Sequence, residues 1–344
     1  MRVIKLGLYG CGARTNVLVD SIYKYGLVKV VCCYDIDKER SIKTANKYNA
    51  VSVNSSSELI NYPEIDAFII SLFPKYHANA TMEVIETGKP IFLEKPIATN
   101  LEDGKKLVKK VKEKNIILHV GFVQRYVPVF KKVKEIIQSG QLGKIIGIQH
   151  NWLSRYAPPA WMIETKNWRL DPETGGQLIY HYCHFFDLLR FWNGEFKSVV
   201  SMTNHIIYNP DSPSENEIFA TIEYENGALA GLHFSEVSNR NDMIGRIEGE
   251  KLTLEYEWNE NSIIKIYSKP GLRKPDEIIG PFKMDIPDDE IMNDFIKEIK
   301  GEKEVSPNII DGFIPLKLAT AIRLSAKEGR KVYLKELIED DKSD

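Results

Sequence analysis

The residues best placed to do chemistry in the N-terminal third are Glu94 and Lys95, which follow the apolar run Ile91-Phe92-Leu93. Such a run is typical of a buried strand, and Pro96 ends it. In an open sheet of parallel strands, ligands and catalytic groups collect at the carboxyl ends of the strands. Lys95 is therefore the first candidate for a group that transfers a proton to or from a substrate.

A glycine turn near the N-terminus predicts a dinucleotide site. A β-rich run over residues 3–9 leads directly into Gly10-Cys11-Gly12-Ala13-Arg14-Thr15, and a helix-compatible segment follows. Gly10 permits a tight turn, and Gly12 lets backbone N–H groups approach a pyrophosphate at the helix N-terminus. Thr15 stands where the third glycine of the motif normally allows close helix packing, so the motif is incomplete.

The second predicted strand, residues 28–34, leads into Asp35, which stands 20 residues after Thr15. A carboxylate at this place accepts both hydroxyls of an adenosine ribose and repels a 2′-phosphate, which favours NAD over NADP. The alternative interpretation is that the two glycines only form a turn and that Asp35 caps a helix before Lys38.

A second polar cluster follows Gly175-Gly176, which read as a glycine entry to a helix. At helical spacing Tyr180, His181, His184 and Asp187 share one face. One hypothesis is a proton-handling cluster in which Asp187 orients His184 and either Tyr180 or His181 reaches the substrate. Two alternatives stay open. The face could form a satisfied hydrogen-bond network in a core, or His181, His184 and Asp187 could bind a metal.

Upstream of that cluster, aromatic and arginine side chains are dense enough to suggest a sugar pocket. Aromatic rings pack on the C–H faces of sugars, and guanidinium groups bond hydroxyls or carboxylates. The residues concerned are Trp152, Arg155, Tyr156, Trp161, Trp168 and Arg169.

The elements that must position these residues fall into two patterns. Strands and helices alternate over the first ~120 residues, which predicts a parallel, doubly wound α/β sheet. Mostly strands follow, and Asn226-Gly227 signals a hairpin between residues 218–224 and 228–234. We predict domains at 1–121 and 122–338, the second with a large, mostly antiparallel open sheet. Helices would cover one sheet face, and a partner subunit would cover the other.

Composition excludes some partners. The 344 residues carry 46 basic and 48 acidic side chains, net −2, so nothing indicates binding to nucleic acid or an anionic membrane surface. No apolar run nears the ~20 residues of a spanning helix, and the chain enters a strand at once, so we expect a cytoplasmic protein. Reduced thiols are expected for the four cysteines, Cys11, Cys32, Cys33 and Cys183.

Taken in order, the motifs resemble the Gfo/Idh/MocA oxidoreductases, a family named after glucose-fructose oxidoreductase, inositol dehydrogenase and a rhizopine-catabolism protein. The resemblance covers nearly the whole chain, and the ordered set is far more specific than any one motif. It rests on Gly10-x-Gly12, Glu94-Lys95-Pro96, Gly121-Phe122-x-x-Arg125-Tyr126-x-Pro128, Gly175-Gly176, His184-x-x-Asp187 and Ser325…Gly329-x-x-Val332.

The resemblance implies a Rossmann domain, an α/β domain whose open sheet supports dimers or tetramers, and specific residue roles. Lys95 would lie by the nicotinamide and the substrate hydroxyl, and His184 would help to relay the proton. Many sugar-oxidising members carry an aspartate four residues before that histidine, where this chain has Tyr180. A phenol is no ready base at neutral pH, so His181 is a further candidate for the relay.

Two larger sets complete the predicted site. The cofactor-binding set is Gly10, Cys11, Gly12, Ala13, Arg14, Thr15, Asp35, Ser71, Leu72, Pro74, His77, Glu94, Lys95, Gln124 and Arg125. The substrate-binding set is Lys95, Arg125, Tyr156, Trp161, Trp168, Arg169, Tyr180 and His184.

The expected function is hydride transfer between NAD and a secondary alcohol or ketone of a sugar, sugar derivative or polyol, with Lys95 as general acid or base. One alternative is a redox-neutral enzyme that retains its NAD and cleaves glycosides through transient oxidation at the third carbon. Another is a non-catalytic sensor of NAD or sugar.

Overall fold

The computed structural model describes residues 3–154, 175–206 and 214–337. It divides the chain into two compact units. The first unit joins Met1–Val123 to Pro287–Leu316, and the second joins Gln124–Ile286 to Lys317–Asp344.

The first unit is a six-stranded sheet in the order β3-β2-β1-β4-β5-β6. All five strand pairs are parallel, which confirms the predicted doubly wound sheet. Its strands are β1 (Ile4–Tyr9), β2 (Val28–Tyr34), β3 (Val51–Ser52), β4 (Ala67–Ile70), β5 (Ile91–Leu93) and β6 (Leu118–Val120). Its first five helices are α1 (Ala13–Tyr23), α2 (Lys38–Tyr48), α3 (Ser56–Ile60), α4 (Pro74–Ile85) and α5 (Leu101–Lys114).

Burial on both faces explains why these strands read as continuous apolar runs. Every residue of β4 and β5 is buried, as helices on both faces require. Local capping then fixes where the helices begin. The Asn100 side chain caps α5 by accepting from the Asp103 amide at 2.9 Å.

The chain returns to the first unit after residue 286, which a single division at residues 121 and 122 does not anticipate. Helix α9 (Asp288–Ile299) packs against α1. A twenty-residue helix, α10 (Ile309–Glu328), begins in this unit and ends in the second. The sequence shows that α9 is amphipathic, but its pattern does not say which apolar surface it covers.

The second unit is built on a nine-stranded sheet in the order β14-β13-β12-β11-β7-β10-β9-β8-β15. Only the β7–β10 pair is parallel among the pairs that the described residues form, so the mostly antiparallel prediction is confirmed. The strands are β7 (Ile145–Leu153), β8 (Phe196–Asn204), β9 (Glu217–Tyr224), β10 (Leu229–Ser235), β11 (Asp242–Gly249), β12 (Thr253–Trp258), β13 (Ile264–Tyr267), β14 (Glu277–Ile279) and β15 (Val332–Tyr333). Its other helices are α6 (Pro128–Gln138), α7 (Gly176–Tyr180) and α8 (Cys183–Asn193).

The Asn226-Gly227 turn joins β9 to β10 as expected. Leu229 pairs with Glu223 across the hairpin, and Gly227 has the positive φ of 87° that glycine adopts without strain.

The two faces of this sheet differ in burial. Toward α6 and α8 lies an aromatic core in which Phe130, Trp192 and Tyr256 pack with ring centroids 5.3–6.0 Å apart. On the opposite face Val200, Met202 and Phe219 are exposed, Met202 by 77%. Such a face is what a subunit interface would cover.

The four cysteines are buried and form no disulfide. In the part of the chain that the structure describes, no helix combines the length and apolar character needed to cross a membrane.

Candidate cofactor and substrate groups

The glycine turn after β1 has the geometry that a bound pyrophosphate requires. Gly10 has φ 95°, and a Cβ there would lie 2.2 Å from the Ser71 carbonyl oxygen. A Cβ on Gly12 would meet nothing within 4 Å, so the space over the turn is open. No side chain caps α1, which leaves its first N–H groups for a phosphate. The turn therefore fits the cofactor.

Thr15, which replaces the third glycine, is accommodated by burial of its hydroxyl in the turn. Its Oγ1 donates to the Gly10 carbonyl at 2.9 Å, and the side chain is fully buried. The departure from the motif thus adds a hydrogen bond that closes the turn.

Asp35 lies at the carboxyl end of β2 and is hydrogen-bonded into the same turn. Its carboxylate accepts from the Cys11 amide at 2.8 Å and the Asp37 amide at 2.9 Å. Asp37, not Asp35, caps α2, so the alternative interpretation of Asp35 as a helix cap is wrong. The Arg40 guanidinium lies 3.4 Å from Asp35, which places a positive charge where a 2′-phosphate would otherwise meet only carboxylate.

Ser71 and Leu72 follow β4, while Pro74 and His77 form the start of α4. The His77 ring is buried and ties two loops together. Its Nδ1 lies 2.7 Å from the Pro96 carbonyl oxygen, and its Nε2 lies 3.0 Å from the carbonyl oxygen and 3.3 Å from the amide nitrogen of Leu72. Burial lowers the pKa of His77, so the ring is neutral and holds the loop that follows Lys95.

Lys95 follows β5, and a buried ionic network fixes the residue before it. Glu94 accepts from Arg14 Nε at 2.6 Å and from the Lys95 amide at 3.2 Å. Arg14 NH1 also lies 2.7 Å from Asp288, the first residue of α9. Burial alone would lower the pKa of Arg14, but the two carboxylates outweigh it and raise that pKa. Arg14, at the start of α1, thus holds Glu94 in place beside Lys95.

Two predicted residues, Gln124 and Arg125, lie in a 3-10 helix over Val123–Tyr126 and are buried. Arg125 makes a two-pronged bond to Asp187, with Nε–Oδ2 at 2.7 Å and NH2–Oδ1 at 2.5 Å. Its guanidinium carbon lies 4.6 Å from the Phe191 ring centroid. The contacts tie Arg125 to α8, and a role for it toward cofactor or substrate stays a prediction.

The predicted polar helix is broken, so its four residues do not form one continuous helical face. Helix α7 ends at Tyr180, His181 and Tyr182 form the turn, and α8 starts at Cys183 with His184 in its first turn. The amides of both His181 and Tyr182 donate to the Gln177 carbonyl, which ends α7. Trp152 packs edge-on against His181 at 4.4 Å between ring centroids, which holds the break in place.

The aromatic and arginine loop predicted to bind sugar lies largely outside the described residues. This applies to Arg155, Tyr156, Trp161, Trp168 and Arg169. Among the residues that are described, no group of three or more His, Cys, Asp or Glu is arranged to hold a metal ion.

Sequence reasoning missed two acidic residues that contact predicted site residues, Asp288 beside Arg14 and Glu236 beside His181. Asp288 comes from a segment assigned to the other domain, and no motif marks it. Glu236 directly follows β10, and its place at the carboxyl end of a predicted strand was the available signal.

Comparison with known proteins is consistent with this geometry. The model described as oxidoreductase family, NAD-binding Rossmann fold, matches residues 4–122, and that described as oxidoreductase family, C-terminal alpha/beta domain, matches residues 134–334. A scyllo-inositol 2-dehydrogenase (NAD(+)) of Bacillus subtilis is 30% identical over 214 residues. The match covers 61% of this chain but only 60% of that protein.

Two further proteins are similar to this chain. A 2,7-anhydro-N-acetylneuraminate hydratase of Escherichia coli is 23% identical over 266 residues, 76% of this chain and 69% of that protein. A levoglucosan dehydrogenase solved with NADH superposes with a TM-score of 0.86 at 21% identity, covering 97% of this chain and 99% of that one. The two family models extend over most of the chain, and the protein belongs to the Gfo/Idh/MocA family of oxidoreductases.

Proposed function

We propose that this protein is an NAD-dependent dehydrogenase that moves a hydride between the nicotinamide and a secondary alcohol or ketone of a sugar, sugar derivative or polyol. The observation that carries the proposal is the Arg14–Glu94 bond, which ties Glu94, the residue before Lys95, to the helix that begins at the open glycine turn. Relatives named for inositol and levoglucosan support the substrate class. A cytoplasmic location stays a prediction.

Proton transfer and substrate binding are the tasks of the protein's own side chains. Hydride transfer is the chemistry that the nicotinamide supplies. Lys95 takes the proton from the substrate hydroxyl in oxidation and returns it in reduction, with its loop held still by Glu94 and His77. His184, Tyr180 and His181 are the candidates to complete the proton relay and to hold the substrate.

The Asp35 carboxylate supports NAD as the preferred cofactor, since it accepts ribose hydroxyls and repels a 2′-phosphate. Its contacts with two backbone amides hold it in place for that role.

A redox-neutral reaction is the second candidate function, because one relative is named a hydratase rather than a dehydrogenase. In such a reaction NAD would be reduced and reoxidised within one turnover, and no NADH would accumulate.

One assay separates these functions. Purified protein is mixed with NAD and a panel of free sugars, polyols and glycosides, and NADH absorbance and glycoside cleavage are followed in the same wells. NADH formed with a free sugar or polyol supports the dehydrogenase. Cleavage without NADH supports the redox-neutral enzyme, and tight NADH binding with no turnover of any compound supports a sensor.

The exposed sheet face supports a homodimer or homotetramer. Val200 and Met202 on β8 and Phe219 on β9 form a continuous apolar patch, which a second copy of the same face would bury. Phe219→Asp is expected to shift the mass in light scattering toward that of a monomer. An unchanged mass in that variant, or a monomeric wild type, would contradict the proposal.

A further inference from the structure

Glu236 is a buried carboxylate that the proposed reaction has not yet used. It comes directly after β10, it is 3% exposed, and its amide donates to the Asn216 carbonyl at 2.9 Å. Neither carboxylate oxygen has a partner in hydrogen-bond geometry among the described residues. Because burying an unsatisfied charge is costly, such a group needs a physical reason.

The side chains around Glu236 do not satisfy it. His181 Nδ1 lies 3.9 Å from Glu236 Oε1, which is within ion-pair distance but beyond a hydrogen bond. Tyr182 is fully buried, and its pKa is raised first by that burial and then by the charge and the side-chain contact of Glu236. Its hydroxyl nevertheless makes no hydrogen bond of good geometry to either Glu236 oxygen. The carboxylate therefore has two polar neighbours, His181 and Tyr182, but neither of them makes a hydrogen bond of good geometry to it.

A second buried carboxylate in the same unit, Glu215, has the hydrogen-bond partners that Glu236 lacks among the described residues. Glu215 is also 3% exposed, but it accepts from Arg323 Nε at 2.5 Å and NH2 at 3.1 Å. Burial is thus equal, and only one of the two carboxylates has a guanidinium. Glu215 therefore stabilises the fold through its ion pair, whereas no such structural role accounts for Glu236.

The position of Glu236 places it beside the proposed substrate groups. The β10 end is joined to the β7 end by the Ser154 amide, which donates to the Ser235 carbonyl at 2.9 Å. His181, which faces Glu236, lies in the turn between Tyr180 and His184. Glu236 and the proposed relay residues thus share one corner of the second unit.

We propose that Glu236 determines substrate specificity by accepting hydrogen bonds from two donors on adjacent carbons of the substrate, a vicinal diol or an amino alcohol. The inference rests on the proposed function and refines its substrate class. A carboxylate binds such a donor pair with both oxygens, and charge-assisted hydrogen bonds are the strong ones. The same carboxylate repels a carboxylate or phosphate at that position, so uronates and sugar phosphates are disfavoured.

Glu236→Gln tests the proposal, with Glu215→Gln as the matched control. Kinetics are measured with scyllo-inositol, glucose, glucosamine and glucuronate, together with NADH affinity and melting temperature. We expect Glu236→Gln to raise KM for the neutral and amino compounds about 10- to 100-fold, to keep the NADH affinity, and to keep or raise the melting temperature. Glu215→Gln should lower the melting temperature, because Arg323 loses its partner, and should leave KM unchanged.

The panel also identifies the donors. A larger loss for glucosamine than for glucose assigns an ammonium group to Glu236, and equal losses assign hydroxyls. An unchanged KM in Glu236→Gln, or a melting temperature lowered as in Glu215→Gln, would show that the carboxylate is structural and overturn the proposal. A wild type that prefers glucuronate would overturn it as well.

Failure of the proposed function gives a different result. A wild type that turns over no compound, and whose NADH complex no sugar stabilises against heat, removes the sugar dehydrogenase and this inference together. A wild type that oxidises sugars while Glu236→Gln behaves identically removes only the role of Glu236.

Discussion

The two units differ in how completely their polar groups are satisfied within the protein. In the first unit Asp35, Glu94 and His77 all have hydrogen-bond partners from the chain itself. In the second unit Asp187 is paired with Arg125, but Glu236 has no partner in hydrogen-bond geometry among the described residues. Polar groups that the protein already holds by hydrogen bonds suit the binding of the same cofactor in every turnover. The Glu236 carboxylate, which lacks such bonds to the described residues, suits the binding of donor groups on a substrate.

The largest effect is expected from replacing Lys95, the proposed general acid or base, which lies between the ion-paired Glu94 and the Pro96 carbonyl that His77 contacts. Lys95→Ala should lower kcat about 10²- to 10⁴-fold, since general acid–base catalysis contributes that much. The affinity for NADH should stay close to that of the wild type, as measured by quenching or calorimetry. Lys109→Ala, which removes an exposed lysine of α5, is the control. Wild-type kcat in Lys95→Ala would exclude Lys95 from the chemistry.

In the second unit, Asp187→Asn is expected to lower the free energy of unfolding. The change removes the negative charge that Asp187 places against the buried Arg125 guanidinium, which costs about 3–5 kcal/mol of unfolding free energy. All five tryptophans lie between residues 152 and 258, so their fluorescence during urea unfolding reports on this unit. Glu195→Gln, which breaks the exposed Arg190 pair, should cost below about 1 kcal/mol. Equal losses in the two variants would contradict this account of Arg125.

The glycine turn separates stability from cofactor binding. Gly10→Ala forces a positive φ and a clash with the Ser71 carbonyl, which should cost about 1–3 kcal/mol and also abolish tight NADH binding. Gly12→Ala meets no protein atom, so the melting temperature should hold while NADH binding weakens about tenfold or more. Unchanged NADH affinity in Gly12→Ala would mean that no cofactor approaches this turn.

Cofactor choice gives a smaller change in the same unit. Asp35→Asn keeps the shape of the side chain but removes its negative charge. We expect the ratio of NAD to NADP affinity to fall about 10- to 100-fold, because the repulsion of a 2′-phosphate is lost while Arg40 stays. Asp37→Asn, in the exposed neighbour that caps α2, should leave the ratio unchanged. A wild type that prefers NADP would reverse the assignment.

Local patterns in the sequence predicted the first unit well because its function depends on them. A strand, a glycine turn and a helix must be consecutive to bind a pyrophosphate, so Gly10, Gly12 and Asp35 can be read in order. The ionic network beside Lys95 was not predictable, since Arg14, Glu94 and Asp288 come from three distant segments and no spacing rule connects them.

In the second unit the strands and the hairpin were predictable, but the helix break was not. Tyr180, His181 and His184 have helical spacing, and the turn between α7 and α8 depends on tertiary packing, such as that of Trp152 on His181 and of Phe234 on Tyr182. Glu236 was missed for a similar reason. A glutamate after a strand is normally exposed, and its burial depends on what lies beside it in three dimensions.

The smallest effect compares two buried histidines, His77 in the first unit and His150 in the second. Burial lowers the pKa of both from 6.5. Above about pH 6.5 folded and unfolded states are both neutral, so stability does not depend on these rings. As the pH falls below 6.5 the unfolded chain takes up the proton first, and the fold loses up to about 1.4 kcal/mol per pH unit for each ring.

Replacing one ring should therefore flatten the pH dependence of one unit. His77→Gln should flatten the pH dependence of the far-UV circular dichroism transition below pH 6.5, to which both units contribute, and should leave the tryptophan transition unchanged. His150→Gln should flatten the pH dependence of the tryptophan transition, because its ring stacks on Phe185 within the aromatic core of the second unit. A flattened tryptophan transition in His77→Gln would mean that the two units unfold as one.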